Sequence, residues 1–236
     1  MFAIDHAATA LLVKRRFPSA PMMPLLLSVQ AMELAWVTLN YLGVERTTTE
    51  STVRSVADIH LAYMPYSHSV ATALIAALAA WLIIEKGFRR AVLGRAVGLG
   101  IVSHLLLDLL THGHDIVLSP GLPTPKLGLG FYDAAPLAAF FVELAYGILC
   151  WRVYQGSRGL LTLIVIGNLA NLSFLSSAIP GPESYLAGHP LLVVTVVCVQ
   201  IVVTLALVGV LAGWGDFNSH EKIAYRTRRI STGRNS

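Results

Sequence analysis

Residues 91–115 read AVLGRAVGLGIVSHLLLDLLTHGHD, an apolar run long enough to cross a bilayer, whose last turns carry His104, Asp108 and His112 at spacings of four. Helical residues four apart stack one turn above another on a single face, so an imidazole and a carboxylate there face the same volume. By length the stretch is a membrane helix. By chemistry it is a helix built to hold something.

The rest of the chain agrees with the first reading. Of 236 residues, 55% are hydrophobic and 13% charged, too few charges to clothe a water-soluble globule. A crossing helix needs roughly 20 mostly apolar residues. Segments at about 21–43, 66–85, 91–113, 135–153, 159–179 and 190–214 meet that length. Residues 2–13 are apolar but too short to cross alone, and Lys14, Arg15 and Arg16 follow them instead of preceding them, so they read as a half-span and not as a secretory leader. The expected fold is all-α, a polytopic membrane helical bundle of about six transmembrane helices plus the short N-terminal half-span. One integral domain covers 1–214, and a basic tail over 215–236 is expected to be disordered, because its Ser, Arg, Gly and Asn lack apolar periodicity.

The net charge is +4 and the pI about 9.2. If six spans alternate, the basic groups at 14–16, 86–95 and 152–158 and those of the tail share one side, leaving Arg46, Arg54 and Lys126 on the other. The positive-inside rule makes the rich side the cytoplasm of an inner membrane, with the tail in the cytoplasm. Juxtamembrane basic residues of this kind answer to topology and anionic lipid, and no nucleic-acid partner is expected.

Ionisable groups inside the bilayer are expensive and default to a functional reading. The segments up to residue 153 hold His6, Glu33, His68, His104, Asp108 and Glu143, whereas the last two spans hold none beyond Cys198. A rise of about 1.5 Å per residue from the basic flanks puts His6, Glu33, His104, Asp108 and Glu143 roughly 12–20 Å deep, with His68 higher at roughly 27 Å. One shared site is the economical reading. Imidazole with carboxylate suits zinc, manganese or iron, and three acids would largely neutralise two divalent ions, so one or two ions are expected. The bland alternative for His104 and Asp108 is a hydrogen-bonded pair joining helices. Cys150 and Cys198 lie within spans and read as small apolar filler, and Asn168 and Asn171 read as interhelical hydrogen-bonding groups.

The "YSHS" at 66–69 opening one span and the "SHLLLDLL" at 103–110 closing the next, together with the N-terminal His6, the acid of "MELAW" and the loop "PKLGLGFYDAAP", resemble the membrane-bound metal-dependent hydrolases typified by YdjM. That family is distantly similar to the zinc-dependent phospholipase C and P1 nuclease superfamily. The resemblance covers most of the first 150 residues and implies His6, His68, His104 and Asp108 as metal ligands, with Glu33 where an aspartate is usual. The family's "GHRGxTHS" form is "LAYMPYSHS" here, and its "PDxD" element is reduced to Glu33.

The resulting expectation is a metal-dependent hydrolase of the lipid bilayer, acting on a phosphoester, in a lipid or otherwise, with Glu33 and Asp108 in the chemistry. Two rivals share the same residues. One is a metal-ion or proton-coupled transporter, disfavoured by the lack of matched halves. The other is a metal-binding scaffold without turnover.

Overall fold

The structure is a computed structural model and describes residues 1–122, 126–176, 178–179 and 181–213. The basic tail expected over 215–236 lies outside the described residues. Helices dominate: α1 (Ala3–Arg16), α2 (Met22–Val29), α3 (Ala31–Tyr41), α4 (Val70–Leu82), α5 (Ala91–Thr111), a single-turn α6 (Phe131–Ala134), α7 (Pro136–Tyr154), α8 (Arg158–Leu169) and α9 (Pro190–Ala212). A small antiparallel hairpin, β1 (Arg46–Thr49) with β2 (Ile59–Tyr63), intervenes between α3 and α4.

Among the described residues, four helices are long and apolar enough to cross a membrane: α4 with its closing π turn (Val70–Gly87), α5, α7 and α9. Two of the other expected crossings take a different form. The segment expected over 21–43 is broken at Gln30 into α2 and α3, which meet at a bend of 56°. The segment expected over 159–179 is α-helical only for the 12 residues of α8, about 18 Å. There Asn168 and Asn171 turn their amides back onto the carbonyls of Ile164 and Gly167, and side chains that bond the helix's own backbone compete with its continuation. A turn and a short 3-10 helix, Ser173–Leu175, follow.

The half-span is the heart of the bundle. Every residue of α1 from Ala3 to Leu11 is buried, and the helix packs on α7, α5, α2, α9 and α8. Its run of Ala7, Ala8 and Ala10 makes this possible, since small side chains let neighbouring helices approach closely where no hydrophobic force separates helix from lipid. The same logic joins α4 to α5. Gly94 and Gly98 of α5 face Ala77 and Trp81 of α4 so closely that a Cβ at Gly94 would stand 2.7 Å from the Trp81 carbonyl oxygen. Pinned between α4 and the α1–α2 pair, α5 presents its buried face to the middle of the molecule, and His104 and Asp108 lie on that face.

A candidate metal centre

Four residues from three parts of the fold deliver one ligand atom each. On α5, His104 and Asp108 are 1% exposed, and His104 Nε2 lies 2.9 Å from Asp108 Oδ2. His68 arrives from the turn that precedes α4. That helix is capped by Ser69, whose hydroxyl accepts from the Thr72 amide, so the chain enters α4 at a set angle and directs His68 inward. Glu33 sits in the first turn of α3, and the bend at Gln30 turns that helix so that Glu33 Oε2 comes within 3.3 Å of His68 Nε2 and 3.7 Å of His104 Nε2. The ligand atoms of Glu33, His68, His104 and Asp108 all lie within 4.8 Å of one another. Zinc bonds of about 2.0–2.1 Å would set neighbouring atoms of a tetrahedron about 3.3 Å apart.

The donor chemistry fits a cation. The Val29 carbonyl accepts from His104 Nδ1 at 2.8 Å, which leaves Nε2 as the lone-pair nitrogen. At His68, Nδ1 lies 2.8 Å from Ser67 Oγ, and that hydroxyl donates to Glu45 Oε2, so Nδ1 is the donor and Nε2 again carries the lone pair. His68 Nε2, His104 Nε2 and Asp108 Oδ2 are buried and lack a hydrogen bond of good geometry among the described residues. Two lone pairs and a carboxylate therefore converge on one point. A proton between His104 and Asp108 would satisfy one such contact, but an ion satisfies all of them.

Asp108 also looks the other way. Its Oδ1 lies 3.1 Å from His6 Nε2 and 3.8 Å from His112 Nε2, and the Met1 amine donates to it at 2.9 Å. His6 thus reaches the centre from α1, its ring stacked on His104 at 4.0 Å, although it stands outside the four-residue group. His112, the residue closing α5, is held by the loop that folds back over it: Gly130 donates its amide to the His112 carbonyl. Gly128 of that loop has φ 135 and lies against the backbone of His112 and Gly113, where no side chain fits.

Glu143 is not brought into the four-residue group. It accepts from the Tyr132 hydroxyl and, at 3.4 Å, from the Phe2 amide. Burial, and then the Glu143 carboxylate beside it, push the Tyr132 phenol well above its ordinary pKa, so it stays a donor. Asp5, wholly buried, lies near it, and Asn168 donates to its Oδ1 at 3.3 Å. Sequence reasoning missed Asp5, although an acid inside an apolar run was a usable signal. It also missed Glu45, which is 3% exposed and accepts from the Tyr66 and Ser67 amides at 2.8 Å each. No local pattern marks Glu45, because its partner lies across the hairpin. Asn171 does join helices, accepting from Gln200 of α9 at 2.7 Å, and both cysteines are free.

The centre opens to a cavity of about 770 Å³ lined by His6, Glu33, His112, Trp36 and residues of α9. No protein-family model, curated protein or solved structure matches the chain.

Proposed function

We propose that this chain is a membrane-embedded metal-dependent hydrolase acting on a phosphoester, with zinc as the ion. One observation carries the reading: buried, unpartnered ligand atoms of His68, His104 and Asp108 converge with Glu33 beside a cavity. An ion held by these four would supply Lewis acidity and would make water a better nucleophile near neutral pH. A second ion would rest on Asp108 Oδ1 with His6 and His112. Glu33 is the most exposed of the four at 21% of its side chain and borders the cavity, which suits it to take the proton of the attacking water. His112, His114 and Lys126 also line that cavity and offer donors to an anionic phosphoryl group. Asp108, whose Oδ1 accepts from the Met1 amine and lies 3.1 Å from His6 Nε2 while its Oδ2 is left for the ion, holds its neighbours in place. The topology that goes with this reading has six crossings, α2–α3 and α8 among them, in a cytoplasmic membrane, with the basic tail inside.

The test is metal content by mass spectrometry together with phosphate release from a panel of phosphoesters, before and after chelation. Wild type should carry zinc and turn over, and Glu33→Gln should lose roughly 100-fold or more in rate, the scale of a general base. Equal turnover by the stripped protein would sink the reading. Zinc flux into liposomes without phosphate release would replace it with a transporter.

A further inference from the structure

The cavity beside the centre has two unlike kinds of lining. One is ionisable: His6, Glu33, His112, His114 and Lys126. The other is Val193, Val196, Val197 and Gln200, which follow at i, i+3, i+4 and i+7 and so share one face of α9. Val196 and the neighbouring lining residues Val199 and Val203 are 41%, 56% and 49% exposed on the surface expected to meet lipid, so the valine lining reaches that surface. Trp36 and Gln30 also form part of the wall. Trp36 is 2% and Gln30 0% exposed, and Trp36 Nε1 and Gln30 Oε1 have no hydrogen-bond partner among the described residues. Buried polar atoms are rarely left without partners, and a donor and an acceptor among the residues lining one cavity call for a polar ligand. Neither atom belongs to the metal-ligand group.

We propose that the cavity binds a membrane amphiphile whose anionic phosphoester head meets the metal centre, whose polar linkage bonds Trp36 Nε1 and Gln30 Oε1, and whose hydrocarbon chain lies along the Val193–Val197 face of α9. The phosphoester head rests on the hydrolase reading, whereas the chain groove rests on the cavity's own geometry. The volume suits a ligand of drug-like size, so the head, the linkage and the first part of one chain fit inside, and the rest of the chain stays in lipid. A water-soluble phosphoester would have no use for the valine face.

The probe is phosphatidic acid bearing a photoreactive acyl chain, added to the zinc-loaded full-length protein in nanodiscs. Labelling should concentrate on 193–200 and fall when excess unlabelled phosphatidic acid competes. Val197→Trp should abolish the competed fraction while zinc content stays at the wild-type level. Trp36→Phe, which keeps the ring and removes the donor, should weaken competition roughly three- to tenfold, the scale of one hydrogen bond. Labelling spread evenly over the outward valines and indifferent to competitor would overturn the proposal, as would unchanged competition in both variants. The hydrolase reading fails separately: competed labelling without phosphate release from any phosphoester rejects turnover and keeps the amphiphile site, and release from phenyl phosphate without competed labelling does the reverse.

Discussion

Helices α1 and α9 invert the rule that governs water-soluble proteins. Helix α1 is short and carries Asp5, His6 and Thr9, yet these residues are nearly inaccessible. Helix α9 spans 23 residues with no acidic or basic side chain and leaves Val196, Val199, Val202 and Val210 on its outer surface. Lipid is as apolar as valine, so nothing drives α9 inward, whereas polar side chains in a membrane helix turn toward protein partners. Apolarity therefore marks the outside here, and polarity combined with small residues marks the inside.

The largest expected effect tests why α1 is inside. If His6 and its neighbours are gathered around an ion, Asp108→Asn removes the charge on which His6, His68 and His104 converge, and zinc affinity should fall by well over 100-fold in titrations of the chelator-stripped protein. Equal binding by wild type and variant would reduce the cluster to hydrogen-bonded helix glue. Next comes the support behind His68. Ser67→Ala cuts the link from His68 to Glu45, and affinity should drop about 10- to 100-fold, the range for residues that orient a ligand. An unchanged affinity would mean that the relay is incidental.

Packing sharpens the comparison directly. Ala10→Leu on α1, where the side chain is 0% exposed, should destabilise by about 1–3 kcal/mol in thermal unfolding, because α1 is enclosed on every side. The α8–α9 contact is weaker. Asn171→Leu removes the bond from Gln200 and should cost about 0.6 kcal/mol, with zinc content intact. A lost ion there would extend the centre beyond the residues described. The smallest effect belongs to the lipid face: Val202→Leu should stay within about 0.5 kcal/mol. A large loss at Val202 would show that α9 is covered by another chain.

Legibility followed locality. His104 and Asp108 are on one helix four residues apart, so their shared face was readable from spacing, as was the membrane character of the long apolar runs. His68 was expected above the others by a count along a straight span. It reaches them because α4 begins only at Val70, and the capped turn before it directs the imidazole inward. Glu143 is the opposite case: its depth matches that of the ligands, but depth says nothing about azimuth, and α7 turns it toward Tyr132 and Phe2, outside the four-residue group.

The amino-acid order alone established a helical membrane protein, the apolar faces of α4 and α9, and the His104–Asp108 pair, because each depends on composition or on the 3.6-residue turn. Tertiary structure decided the rest. The 56° bend at Gln30 brings Glu33 to the histidines, and the burial of α1 brings His6 to Asp108. A hairpin sends Glu45 behind Ser67, and the gap left between α1, α3, α9 and the turn after α8 becomes the cavity. These are contacts between segments tens to more than a hundred residues apart, set by which small residues let which helices approach. No local pattern encodes that choice, because in a bilayer the helices are sorted by close packing and polar pairing between partners that the sequence does not name.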